Sequence, residues 1–143
     1  MDPPNVGRDV KRMVAIAEQL KGKLNIIMAT GFHKAAFYDK GSSWLAQVPV
    51  NEIVPMLVAE IEEGMDLYNY SGPVVKRGKA KAGIIKAGTG YAAIDRLELK
   101  ALEAVAITSI TTGAPVLVHT QLGTMAYEAA QHLIDFGVNP RKI

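Results

Sequence analysis

The stretches Ala82-Gly83-Ile84-Ile85-Lys86 and Pro115-Val116-Leu117-Val118-His119 decide how this sequence is read. Each is a short apolar run followed by a loop containing Gly or Thr and then by an amphipathic helical pattern. Runs of this length, bounded by Gly or Pro, read as buried strands rather than helices. Strands that alternate with helices pair in parallel through right-handed crossovers. Lys86 and His119 close their runs at matching ends. They therefore fall on one rim of an α/β sheet or barrel, where such folds place their chemistry.

Upstream, Val10, Met13, Val14, Ile16, Ala17 and Leu20 form the apolar stripe of a helix over residues 8–20, stopped by Lys21-Gly22-Lys23. Residues 24–29 read as a further strand, closed by Thr30-Gly31. A loop follows over roughly residues 32–49, with Tyr38 and Trp44 either covering the mouth of a site or packing under it. Asn51 is expected to cap a helix reaching about residue 63, with Pro55 near its first turn, where a missing amide hydrogen costs least. The basic run at residues 76–81 precedes a strand, so it reads as a solvated loop on the opposite, N-terminal rim. Asp95 and Glu98 have the spacing of a capping box for a helix buried through Leu99, Leu102, Val105, Ala106 and Ile110. Thr111-Thr112-Gly113 ends that helix. A last helix is expected over residues 124–136, with Gly137 as its left-handed terminator.

The order is α-β-α-β-α-β-α in 143 residues, enough for one compact domain. Three parallel strands leave two open edges and need cover on both faces. Asp2-Pro3-Pro4-Asn5 reads as a loop arriving from a strand, and Asn139-Pro140-Arg141-Lys142-Ile143 as the approach to another. Residues 1–143 are therefore expected to be one partial α/β-barrel domain whose open edges favour self-association unless the remainder of the barrel covers them. A net charge of +2 gives no reason to expect nucleic-acid or membrane binding. The absence of cysteine excludes disulfides and thiolate metal sites and is compatible with a cytoplasmic setting. No secretory signal is expected from the opening Met-Asp-Pro-Pro, and no apolar stretch is long enough to span a bilayer.

A lysine that ends a strand ordinarily extends its amine to water. In a desolvated barrel mouth its pKa falls, and the neutral amine reacts with carbon dioxide to give a carbamate able to bridge two divalent cations. Imidazole is a favoured ligand for zinc, manganese, cobalt or iron, although a histidine after an apolar run also serves as a hydrogen-bonded core residue.

Residues 81–86 and 113–120, with Gly7-Arg8-Asp9-Val10 and Asn25-Ile26-Ile27-Met28-Ala29-Thr30-Gly31, resemble in order and spacing the phosphotriesterase family of metal-dependent hydrolases, which includes phosphotriesterase-like lactonases. The resemblance covers nearly the whole chain. It implies a TIM (β/α)8 barrel with two divalent metals, zinc foremost. Lys86 falls on the family's metal-bridging carbamylated lysine and His119 on one of its metal-ligand histidines. The implied reaction is attack of a metal-bridged hydroxide on a lactone, with a sugar lactone preferred, or on a phosphoester. The resemblance also makes this the third to fifth strands of the barrel. The family's His-x-His pair, a later histidine and an aspartate are not in this sequence, so the chain alone is expected to be incomplete for catalysis.

His33 and Lys34 follow the strand at residues 24–29 on the same rim, and the resemblance puts them near the substrate pocket. A solvated loop is the plainer reading. Tyr91, just beyond the Lys86 strand, is a third substrate-contact candidate. His132 reads as a surface or packing residue of the last helix. The competing account of the whole is a non-catalytic α/β binding module or scaffold without metal chemistry.

Overall fold

The computed structural model describes residues 6–143, so the loop expected over Asp2–Asn5 lies outside the described residues. Its sheet has three parallel strands, β1 (Ala29–Gly31), β2 (Ile84–Thr89) and β3 (Val116–Thr120), in the spatial order of the sequence. The helices are α1 (Val10–Gln19), α2 (Trp44–Gln47), α3 (Val50–Glu62), α4 (Arg96–Thr112) and α5 (Ala126–Asp135). The strand order never reverses. The crossover helices α3 and α4 pack on one another over β1 and β2, and α5 lies beside α4 on β3. This is single winding, the arrangement of a barrel wall rather than of a doubly wound sheet.

Alternation along the strands assigns the two faces. Ile85, Ala87, Val116 and Val118 join the helix-side core with Leu57, Leu102, Val105 and Leu133. Full burial of such a side chain contributes about 1.5–3 kcal/mol. The register pairs Gly31 with Lys86, Lys86 with Leu117, and Gly88 with His119. Paired positions share a face, so these residues form the opposite side of the sheet. No described helix packs there, and Leu117 is 42% exposed.

Several boundaries differ from those expected. β1 is only Ala29–Gly31, because the chain before β2 turns away from residues 24–27: the Ala82 amide donates to Glu60 O, and Gly83 reaches only Met28 O. β2 continues to Thr89, which places Lys86 inside the strand rather than at its end. Pro49, not Asn51, caps α3, and Pro55 lies in its second turn, where it removes the amide that would have bonded Asn51. The last helix is shorter than 124–136, because Met125 is left-handed at its start and Phe136 is already its cap. Gly137 does adopt positive φ, at 101°. Pro140–Lys142 forms a single 3-10 turn, with the Asn139 side chain accepting from the Arg141 amide. The Asp95/Glu98 capping box forms as the spacing predicts, and Gly113 ends α4 at φ 72°.

Under the sheet, Arg8 holds Glu60 through paired contacts of 2.8 and 2.7 Å and also donates to Ala29 O at 3.0 Å. Its Nε donates to Asn69 Oδ1, and the Asn69 amide returns a bond to Arg8 O. The expected basic loop is likewise tied down: the Lys76 amide donates to Asp66, and Arg77 bonds Gly64 O and pairs with Glu63. None of the described helices is long and apolar enough to cross a membrane.

Candidate metal and substrate site

Lys86 stands on the open face at the centre of the sheet, yet it is only 6% exposed. Gly31 makes room for it: with φ 96°, a β-carbon there would lie 2.2 Å from Lys86 O. The Phe32 amide instead bonds that same oxygen at 2.8 Å, turning the chain into the rim loop. The Lys86 Nζ donates to Ala87 O at 2.9 Å. Burial pushes its amine from 10.5 down to about 8, so a neutral amine is within reach near physiological pH.

His119 lies on the adjacent strand, opposite Gly88 and therefore two residues farther toward the rim than Lys86. Its imidazole is held below the ordinary value, first by burial and then by the positive charges of Lys86 and Lys34. That favours the neutral ring, the form in which it can ligate a cation. The His33 ring lies 5.1 Å from that of His119 and 4.3 Å from that of Phe37. Below it, the Tyr38 hydroxyl accepts from the His33 amide at 2.8 Å, and burial raises its phenol to about 12.

The three rim loops are laced together. Lys34 Nζ donates to Gln121 Oε1 at 2.7 Å, joining the loops after β1 and β3. Thr124 Oγ1 accepts from the Ala92 amide at 3.0 Å and donates to Gln121 O at 2.7 Å, joining those after β2 and β3. Gln121 and Thr124 escaped the sequence reading, since an isolated Gln or Thr carries no periodic or motif signal.

Four of the expected site residues thus converge. Lys86 and His119 share the open face, and His33 and Lys34 sit directly above. Tyr91 does not join them: it is 61% exposed and makes no side-chain hydrogen bond or ring contact among the described residues. His132 lies on the outer surface beside Arg96, Glu103 and Phe136. Trp44 packs under the loop, stacked 5.6 Å from Phe32 and 5.7 Å from Tyr70, with Tyr38 edge-on to Phe32.

The donor chemistry fits a divalent cation in part. A carbamate on Lys86 would offer two oxygens and His119 one imidazole nitrogen. Among the described residues no cluster of three or more His, Cys, Asp or Glu completes a coordination sphere.

The model of the Phosphotriesterase family matches residues 2–143. The chain belongs to the phosphotriesterase family. Within it, the phospho-furanose lactonase of Mycoplasmopsis agalactiae is 80% identical over 143 residues, all of this chain and 40% of that protein. The phospho-furanose lactonase of Mycoplasmopsis synoviae is 74% identical, again over the whole chain and 41% of its own length. An amidohydrolase structure from Mycoplasma synoviae superposes with a TM-score of 0.97 at 74% identity, covering 100% of this chain and 41% of that one. A lactonase structure from Listeria monocytogenes superposes with a TM-score of 0.80 at 27% identity, covering 95% and 42%. The chain spans about 40% of the length of the curated relatives it matches. Its singly wound strands are a sector of the TIM-type barrel of this family of metal-dependent hydrolases.

Proposed function

We propose that this chain supplies part of the active site of a lactonase that opens a phosphorylated furanose lactone. The observation that carries the reading is the placement of Lys86 and His119 on one open sheet face, in a chain 80% identical to a phospho-furanose lactonase. Residues 1–143 then form one part of a single barrel domain, and the remaining ligands come from protein beyond them.

Lys86, as a carbamate, and His119 would hold two divalent ions, with zinc preferred and manganese, cobalt or iron as alternatives. When bound, such ions supply Lewis-acid polarisation of an ester-like carbonyl and a water of lowered pKa. The chain's own residues do the rest of the work assigned to them. The neutral amine of Lys86 is the form that takes up carbon dioxide. The His33 ring, backed by Phe37, lies against the His119 ring. Lys34 presents a cation to an anionic substituent of the substrate, and Tyr91 lines the outer mouth. A cytoplasmic setting belongs to this reading, as does self-association of the 143-residue chain when its sheet edges are left open.

The test uses the complete protein. Lys86→Ala should abolish lactone hydrolysis and lower bound divalent metal, and labelling with 13C-bicarbonate should give a carbamate resonance in the wild type alone. Unchanged metal content and kinetics in the variant would reject the assignment. Ligand binding that needs no divalent ion, with no carbamate formed, would favour the scaffold account.

A further inference from the structure

Glu98 lies in the first turn of α4 and is only 2% exposed. Its sequence context explains it as half of a capping box, with Oε2 accepting from the Asp95 amide at 2.8 Å. The structure gives that carboxyl two more donors that have no part in capping. Oε1 accepts from the Ala35 amide at 2.8 Å, and Oε2 from the Gly90 amide at 3.1 Å. Ala35 directly follows His33 and Lys34, and Gly90 directly precedes Tyr91. One buried side chain therefore grips both loops that carry the candidate substrate contacts.

The backbone beside it is tight at one point: a β-carbon on Gly88 would come 2.8 Å from the Lys34 nitrogen, whereas one on Gly90 would meet Glu98 Oε1 at an ordinary 3.5 Å. The loop after β1 thus lies directly on β2, and Glu98 fastens it there from below. Lys86 and His119, by contrast, are held in the strand ladder and make no hydrogen bond or ion pair with Glu98 among the described residues.

We infer that Glu98 is a positioning residue for substrate: it sets the loops bearing His33, Lys34 and Tyr91 through the Ala35 and Gly90 amides, independently of the metal-binding strands. The inference rests on the lactonase reading for its kinetic consequence and on hydrogen bonding alone for its structural one. Glutamine at this position keeps the shape but turns one acceptor into an NH2 group facing N–H donors. It should therefore release part of the grip without emptying a cavity.

The experiment compares Glu98→Gln with Asp95→Ala in the complete enzyme, using a phosphorylated furanose lactone, metal analysis and peptide-resolved amide exchange. In Glu98→Gln, exchange around Ala35 and Gly90 should accelerate and KM should rise about tenfold, as expected for losing a hydrogen bond to a charged group. The kcat should stay within about twofold and the metal content should not change. Asp95→Ala removes the Leu97 cap but not Glu98, so it should lower stability with KM unchanged. A fall in active fraction with unaltered KM, or an equal rise of KM in Asp95→Ala, would overturn the inference and leave Glu98 a helix cap. A wild type inert toward lactones would reject the lactonase reading. The exchange data would then stand alone: faster exchange at both loops supports the grip, and unchanged exchange refutes it.

Discussion

Gly88 and Lys34 approach so closely that a β-carbon on the glycine would sit 2.8 Å from the lysine's backbone nitrogen. The contact is backbone against strand, so no side-chain rotation can relieve an added methyl group. Gly88→Ala should therefore lift the loop holding His33 and Lys34 away from the sheet. On the lactonase reading, the complete protein should lose at least tenfold in kcat/KM with its metal content intact, since a shift of about 1 Å in a positioned group is enough for losses of that order. Steady-state kinetics beside metal analysis would check it, and wild-type kinetics would show that the loop's height does not matter.

The clasp between Arg8 and Glu60 should dominate the stability of the lower rim. Both side chains are almost fully buried, and their contact is bidentate. Arg8→Met strands a buried carboxyl and should cost about 3–5 kcal/mol, whereas the double change Arg8→Met with Glu60→Leu should cost clearly less. Urea unfolding of the three proteins measures the difference. Equal losses in single and double variants would contradict the account.

Thr30 and Thr89 offer the opposite opportunity. Their hydroxyls are buried on the helix-facing side of the sheet without a hydrogen-bond partner among the described residues. Thr89→Val exchanges an unsatisfied hydroxyl for a methyl group of similar size in a strand, where valine is favoured. It should raise stability by about 1 kcal/mol, read as a higher urea midpoint. A loss of stability would reveal a partner for that oxygen.

Acid should weaken the start of α4. The Asp95 carboxyl is held below the ordinary carboxylate range, chiefly by the Lys40 hydrogen bond and then by the Leu97 amide. A carboxyl with a lower pKa in the folded state contributes fully above its unfolded value, about 4. The contribution disappears as pH falls through the folded value. Asp95→Ala should therefore cost about 1 kcal/mol at neutral pH, with the gap to wild type closing toward pH 2. A gap that persists in acid would assign the cost to packing.

His119→Ala should reduce the divalent metal retained by the complete protein, whereas His132→Ala on the outer helix should not. Metal analysis after dialysis separates the two. Equal retention would remove His119 from the site.

The sequence disclosed the alternation of elements, the capping box and the placement of Lys86 and His119 on neighbouring strands because each leaves a local mark: a period, a spacing, or a charged residue after apolar ones. It misplaced Lys86 at a strand end because the apolar run stops there. The strand itself goes on through Ala87, Gly88 and Thr89, whose small side chains give no hydrophobic signal. The strand at residues 24–29 was overextended for the converse reason, since Leu24 and Ile27 are apolar yet exposed. The second role of Glu98 and the Lys34–Gln121 bond join residues 63 and 87 positions apart, which no local pattern can announce.

The alternation along β2 and β3 also divides the mutational landscape. Ile85, Ala87, Val116 and Val118 answer to the helices, while Lys86, Gly88, Leu117 and His119 lie on the open face. A combinatorial library confined to the second set would vary that face while leaving the helix-packed core untouched. Leu117, 42% exposed between two residues of that core, is the position at which such variation should begin.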